Sequence, residues 1–491
     1  MLLVTVDCLR ADHVGFMGYR VPTTPFLDSL AKDTCIVPVA IVAGAPTYYS
    51  LPSIFTSRFP LALGRDVLGI APGEPTLATV LQQTGYATAC FAAANPYISP
   101  QLGFDQGFDQ FRDFLKIDAI APAIGENSNA NGQSWASRVN RTLQAIRPAM
   151  GPIGKVYDEL YFEYCQRVTP LPQSVDELRR FPSADVIVDH ALEWLSSIGD
   201  APFFLWLHLM DPHSPYYPKQ SAFSVFSKGQ ITPQRARYVN SYWNRGDIGI
   251  RKLGKHREEI LVFYDAGIRW VDEQLRRLVA ELMHSKRWSD CVFALTADHG
   301  EEFLEHGGRY HSPSHLSEEL IHVPLLLRIP GVQANEQTKS PFSLIHLAPT
   351  LLDALGQSIP SEFHGASQLN CLKVGQGFES PVISECVEGC TNPLRPENRK
   401  GPRVLSVRDS RYKLVSNFGS GTERMYDLES DPTEQSPLPL GAERPVRRRL
   451  LEAARDHIRR SEQPNEKLRV GALLRQHRLE WPISSERVPI P

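Results

Sequence analysis

The sequence predicts an α/β fold, a doubly wound and mostly parallel sheet with a small antiparallel α+β subdomain at the C-terminal end. Three observations predict it. Through the first 350 residues or so, short apolar runs alternate with amphipathic helical patterns, the signature of strands joined by crossover helices. After a turn-rich stretch around 356–377 the pattern changes to short strands with hairpin signals. The chain has 491 residues, 42% of them hydrophobic and 22% charged, the mix of a globular protein able to bury a large core.

The apolar opening Leu2–Val6 reads as a buried first strand, and Ala87–Ala92, Phe203–Leu209, Cys291–Thr296 and Val323–Ile329 read as further strands. Thr24–Lys32, Thr76–Thr84, Ala184–Ser197, Glu258–His284 and Ser343–Leu355 carry apolar residues at helical spacing. The stretch Lys116–Arg180 follows neither pattern: it is punctuated by Asn, Gly and Pro at its start and helical near Ser134–Ile146 and Val156–Gln166. It is therefore read as an insertion, placed to cap a site. The main domain thus spans 1–375. Residues 376–440 form the smaller sheet from Pro381–Glu385, Arg403–Arg408, Tyr412–Ser416 and Glu423–Asp427. Residues 441–491 form a tail with helices over Arg444–Arg460 and Lys467–Arg478.

Charge and cysteine usage narrow the function classes. Fifty-two basic against 55 acidic side chains give a net −3, so neither nucleic acid nor an anionic membrane is implied as a partner. The tail is the exception, with 12 basic and 7 acidic groups. No apolar run approaches about 18 residues, and the first residues lack the charged region and cleavage site of a secretory signal, so a cytoplasmic location is expected. The eight cysteines lack metal-knuckle spacing and read as reduced thiols; Cys386 and Cys390, in C-x₃-C spacing, are compatible with a local disulfide or with none.

Ligands of open α/β sheets bind beyond the carboxyl ends of the strands, so polar residues that directly follow a strand are the candidates for chemistry. Leu2–Val6 runs into Asp7-Cys8-Leu9-Arg10-Ala11-Asp12-His13, and Phe203–Leu209 into Met210-Asp211-Pro212-His213. Cys291–Thr296 runs into Ala297-Asp298-His299-Gly300-Glu301-Glu302, followed by Glu305-His306-Gly307-Gly308-Arg309-Tyr310-His311. An Asp ending a strand is by itself more often a helix cap than a ligand; the coincidence of four such clusters is what points to a site. Asn95, after the Ala87–Ala92 strand, is a further candidate to donate to a substrate oxygen, or a turn residue before Pro96.

Taken in order, these runs resemble sulfatases, members of the alkaline phosphatase superfamily. The resemblance rests on Asp7 with Arg10-Ala11-Asp12-His13, Asp211-Pro212-His213-Ser214-Pro215-Tyr216 and Ala297-Asp298-His299-Gly300-Glu301. Glu318-Glu319 before Val323-Pro324, and Tyr426-Asp427-Leu428-Glu429 with Asp431-Pro432, complete it. It extends from residue 2 to about 435. It implies a sulfatase-like main domain, a small C-terminal four-stranded sheet, and one divalent metal held by Asp7, Asp298 and His299. Oxygen ligands with one imidazole suit Mn²⁺ or Ca²⁺ first, with Mg²⁺ or Zn²⁺ possible. A second Asp normally follows the first in this family; here Cys8 takes that position, which shifts the expectation from Ca²⁺ toward Mn²⁺ or a similar transition metal.

The nucleophile departs furthest from the family pattern, in which Cys or Ser of C/S-x-P-x-R is converted to formylglycine nine residues before a Thr. Counting back nine from Thr56 gives Thr47, within Pro46-Thr47-Tyr48-Tyr49-Ser50, and the maturation signal is absent. A rival register through Ser50-Leu51-Pro52 restores S-x-P but spoils the spacing and lacks the Arg; Thr47 is preferred. The resemblance further implies His213 at the leaving group and His311 against the anion, with His315 as its runner-up. Arg10 either binds the anion or braces the loop.

The expected function is metal-dependent hydrolysis of small-molecule sulfuric or phosphoric esters by in-line displacement from Thr47, itself a ligand of the divalent metal with Asp7, Asp298 and His299. A phosphodiester or phosphonate hydrolase, a phosphoglycerol- or phosphoethanolamine-type transferase, and an inactive metal-stabilised scaffold stand as alternatives. Oligomeric state is not encoded in any motif.

Overall fold

The computed structural model describes residues 1–115, 151–313, 315–332, 340–378, 380–461 and 465–480. Its centre is a seven-stranded sheet in the order Cys35–Ile36, Leu325–Arg328, Phe293–Ala297, Leu2–Val6, Phe203–Leu209, Ala87–Ala92, Gln110–Arg112. The five strands from Phe293–Ala297 to Gln110–Arg112 run parallel, whereas Leu325–Arg328 is antiparallel to both its neighbours. Leu2–Val6 and Phe203–Leu209 are buried along their whole length, as strands covered on both faces must be, and so read as continuous apolar runs rather than alternating ones.

Register is what positions the chemistry. Val6 pairs with Leu209 on one side and with Ala297 on the other, so Asp7, Met210 and Asp298 emerge level with one another at the carboxyl ends of three adjacent strands. Helices flank the sheet in two groups that pack among themselves. Pro25–Leu30, Ala184–Ser197, Gln220–Phe226 and Pro233–Trp243 lie against the 28-residue helix Arg257–His284, while Thr47–Thr56, Leu77–Gln83 and Leu369–Val374 lie against Leu347–Ala354 or one another.

Most sequence expectations hold within a residue or two, and the departures have local causes. Val323–Ile329 is not one strand. Pro324 has no N–H for a ladder, and the chain divides there: His322–Val323 joins a three-stranded sheet with Ala40–Ile41 and Phe342–Ser343, and Leu325–Arg328 enters the main sheet. The helix expected over Ser343–Leu355 begins at Leu347, after a 3₁₀ turn. Of the 116–180 insertion, the helix Gly151–Val168 is seen, extending the expected Val156–Gln166; the helix expected over Ser134–Ile146 lies outside the described residues. Its C-terminal end is held by Arg237, whose guanidinium donates to the carbonyls of Gln166, Thr169 and Pro170 at 2.5–3.0 Å.

The smaller sheet is a four-stranded antiparallel meander, Val382–Val387, Arg403–Arg408, Tyr412–Asn417 and Thr422–Asp427. The tail packs onto the body through its apolar side chains. Helix Arg444–Ser461 places Leu450 and Ala454 against Ile383, Leu405, Val407, Leu414 and Met425, and helix Glu466–Glu480 seats Ala472 against Leu63, Val67 and Ala71. A buried ion cluster joins the smaller sheet to the main domain: Lys413 Nζ lies 3.1 Å from Glu318 and 2.9 Å from Glu434. All eight cysteines are free thiols, Cys386 and Cys390 included. Among the described residues, no helix is long and apolar enough to cross a membrane.

Candidate metal and catalytic site

The strand ends bring four of the expected residues together. Thr47 is the first residue of helix Thr47–Thr56, its N–H end and positive dipole directed at the site. Thr47 Oγ1 lies 3.1 Å from His299 Nε2. The same nitrogen is 3.4 Å from Asp298 Oδ2 and 3.7 Å from Asp7 Oδ1. His299 Nδ1 donates to the Gly300 carbonyl at 2.8 Å, so a neutral ring carries its lone pair on Nε2, toward the other three. Ser50, the rival nucleophile, sits one turn into the helix with Oγ donating to the Thr47 carbonyl at 3.3 Å.

These residues fit a divalent cation on a structural ground. Asp298 Oδ1 accepts from the Cys8 and His299 amides, but Asp298 Oδ2 is buried with no hydrogen-bond partner. A buried carboxylate oxygen left bare is costly unless a cation meets it. The separations of 3.1–3.7 Å from His299 Nε2 to the other three oxygens match those between ligands of one ion at bond lengths of about 2.0–2.4 Å.

Asp7 is oriented from behind. Its Oδ2 accepts from Asn95 Nδ2 at 2.8 Å and meets His208 Nε2 at 3.2 Å, leaving Oδ1 toward the site. His208 is held by Thr5, whose Oγ1 lies 2.9 Å from His208 Nδ1 and accepts from Trp206 Nε1 at 2.9 Å. The indole is only a donor. The single Thr5 proton can go to the Leu207 carbonyl at 3.4 Å or to His208 Nδ1 at 2.9 Å; the shorter contact favours His208, which then presents an N–H at Nε2 to the carboxylate. Burial raises the Asp7 carboxyl, but the imidazoles of His213, His208 and His299 outweigh it and hold the group well below the usual range. Asp298 goes the other way: burial and the neighbouring Asp7 charge push it up.

His213 and His311 lie beside these candidate ligands. The rings of His213, His311 and His299 follow one another at centroid separations of 5.2 and 4.5 Å. His213 Nδ1 donates to the Ser214 carbonyl at 2.5 Å. His311 Nδ1 is 3.0 Å from Glu301 Oε2, and Glu301 Oε1 accepts from Tyr216 at 2.6 Å. Burial alone would lower His311, but the bond to Glu301 raises it, favouring the imidazolium.

Three expectations are corrected. Arg10 is not free for an anion: its guanidinium is bound by Asp12 at 2.7–2.8 Å, by Glu305 at 2.7 Å and by the Glu301 carbonyl at 2.9 Å, which is the bracing role. Asn95 is committed to Asp7 through Nδ2 and to the Tyr97 amide through Oδ1, so it orients the Asp7 carboxylate rather than a substrate. His315 is exposed and feels His306, Glu319, Arg424 and Glu388, none of them in the site. Sequence reasoning missed His208 and gave Glu301 no role. The signal for His208 was a lone titratable residue in the otherwise apolar strand Phe203–Leu209.

The Sulfatase family model matches residues 1–357, and that of the N-sulphoglucosamine sulphohydrolase C-terminal region matches residues 305–444. The chain is 29% identical over 280 residues to arylsulfatase K of Bos taurus, covering 50% of each protein, so it spans about half the length of that relative. It is 23% identical over 462 residues to an arylsulfatase of Clostridium perfringens, covering 89% of each. Similar solved structures include a protein in complex with its substrate D-glucosamine-2-N,6-O-disulfate, at TM-score 0.66 and 17% identity over 94% of this chain and 98% of that one. The phosphonate monoester hydrolase of Agrobacterium radiobacter follows at 0.65 and 19%, over 94% and 95%; both likenesses concern the fold. With that family model matched over most of its length, the chain belongs to the sulfatase family.

Proposed function

We propose that this protein is a metal-dependent hydrolase of small-molecule sulfuric or phosphoric esters with Thr47 as its nucleophile. The observation that carries the reading is the convergence of the Thr47 hydroxyl, at a buried helix N-terminus, on His299 Nε2 and the unpartnered Asp298 oxygen. A divalent cation held by Asp7, Asp298 and His299 would supply Lewis acidity, easing loss of the Thr47 proton and offsetting charge on the substrate anion.

The chain's own residues account for the rest. Thr47 Oγ1 attacks the tetrahedral sulfur or phosphorus in line, forming a Thr ester as the bond to the leaving alcohol breaks. His213, its Nδ1–H tied to the Ser214 carbonyl, delivers the proton on Nε2 to the departing oxygen. His311, whose imidazolium the bond to Glu301 favours, holds the anion's outer oxygens. Water then attacks the sulfur or phosphorus of the Thr ester, giving a proton back to His213 Nε2, and the Thr47 oxygen leaves and is reprotonated to the hydroxyl. A formylglycine hydrate releases sulfate by eliminating it, a route closed to Thr, whereas a Thr phosphoester is open to attack by water. That chemistry favours phosphoric or phosphonic esters as substrates.

The test is turnover of an aryl sulfate, phosphate monoester, phosphodiester and phosphonate, side by side, by wild type and Thr47→Ala with added Mn²⁺, Ca²⁺ or Zn²⁺. The expected result is cleavage of at least one ester, lost by three orders of magnitude or more in the variant. Undiminished turnover in Thr47→Ala would move the nucleophile elsewhere. No turnover of any ester by wild type would favour the scaffold alternative.

A further inference from the structure

Cys8 occupies the turn directly after the first metal-ligand candidate, is fully buried, and has a backbone φ of +62°, a region that favours Gly, Asn or Asp over Cys. Its Sγ is 3.2 Å from Asp7 Oδ1, the oxygen that faces the site. A Cys8 sulfur, an Asp7 oxygen and a His299 nitrogen all lie within 4.8 Å of one another. Asp298 Oδ2, buried and unpartnered, lies 3.4 Å from His299 Nε2, and the Cys8 sulfur is also 3.5 Å from His311 Nδ1. Sulfur and oxygen donors on one ion at about 2.3 and 2.1 Å sit roughly 3.1–3.6 Å apart, so the 3.2 Å over which the Cys8 thiol donates to Asp7 Oδ1 is also a separation that two ligands of a common centre would have.

We propose that Cys8 is itself a ligand of the site's cation, completing an Asp7, Cys8, Asp298, His299 set that selects a borderline-soft ion such as Zn²⁺, Co²⁺ or Fe²⁺ over Ca²⁺ and Mg²⁺. The inference rests on the metal site in the proposed function and deepens it. Thiolate and imidazole donors favour the later first-row ions, whereas Ca²⁺ asks for six to eight oxygens, more than these side chains supply. Loading the ion releases the Sγ proton to solvent, and the thiolate takes its place in the shell. The sulfur thus substitutes for the lost carboxylate rather than merely vacating its position.

The experiment is titration of metal-stripped protein with Co²⁺ alone, followed by absorbance. Visible bands together with a near-ultraviolet thiolate-to-Co²⁺ charge-transfer band are expected in wild type. In Cys8→Ser the visible bands should remain and the charge-transfer band should vanish. Asp tolerates positive φ better than Cys, so Cys8→Asp provides a variant expected to fold. In it, the preference for Zn²⁺ over Ca²⁺ in displacing Co²⁺ should fall at least about tenfold. Visible bands without charge transfer in wild type would overturn the Cys8 assignment while leaving the metal site standing. A charge-transfer band that survives the double replacement Asp298→Ala and His299→Ala would place the sulfur on a different ion, on the His213 and His311 side, and would also overturn it. Failure of wild type to bind Co²⁺ at all would remove the metal site and this inference together.

Discussion

Replacing Thr5 by Val tests the buried chain behind Asp7, because Val keeps the shape of Thr and deletes only the hydroxyl's hydrogen bonding. Thr5 Oγ1 accepts from Trp206 Nε1 and meets His208 Nδ1, each at 2.9 Å, and all three residues are fully buried, so water cannot replace what is lost. Two polar groups are then left unpaired, at about 1–3 kcal/mol each. The added methyl returns about 1 kcal/mol of burial, for a net loss of about 1–5 kcal/mol. The consequence reaches the site because His208 no longer has a fixed tautomer from which to donate to Asp7 Oδ2. Ligand-orienting partners of this kind are typically worth about 10–100-fold in metal affinity. Urea unfolding of the metal-free protein reads the first effect, as a lowered midpoint at unchanged slope, and metal titration reads the second. Thr5→Ser keeps the hydroxyl and should retain metal affinity. If Thr5→Val matches wild type within about 0.5 kcal/mol and binds metal equally well, the proposed relay from Trp206 to Asp7 is wrong.

Three further outcomes follow from named contacts. If His213 protonates the leaving group, His213→Ala should slow alkyl esters by about 10²–10⁴-fold yet barely affect esters of acidic phenols, which need no proton; equal losses on both would assign His213 to binding instead. Lys413→Met strips the buried cation from Glu434 and from Glu318, which keeps Arg408 at 3.2 Å, and should cost about 3–5 kcal/mol in thermal or urea unfolding. Burial opposes ionisation of Glu318, but Arg408 and Lys413 hold it at about 2, below its ordinary 4.5. Its stabilisation is therefore present above pH 4.5 and lost as pH falls through about 2, and the variant should lose it at higher pH. His306 is raised from 6.5 to about 9, first by its bond to Glu319 at 2.7 Å. Its contribution is full below pH 6.5 and disappears as pH rises through about 9. At roughly 1–2 kcal/mol for this half-buried ring, it should make melting temperature fall with rising pH in wild type and not in His306→Gln; parallel curves for the two proteins would exclude the pair as a source of stability.

The sequence by itself determined the elements and the ends that matter. Leu2–Val6, Ala87–Ala92, Phe203–Leu209 and Ala184–Ser197 have the boundaries their apolar patterns indicated, because burial on both faces of a strand or one face of a helix is written in residues a few positions apart. Polar residues following such strands marked Asp7, Asp298, His299 and His213, and spacing within the family pattern led to Thr47. Only the tertiary structure decided how these residues meet. The pairing of Val6 with both Leu209 and Ala297 joins residues some 200–300 positions apart, and no local pattern encodes that register. It also decided direction. Asn95 and His208 turn toward Asp7, Arg10 turns toward Asp12 and Glu305, and Cys8 points its sulfur into the site. A side chain's type limits the bonds it can make, but which partner it meets depends on strands and loops brought together from distant parts of the chain.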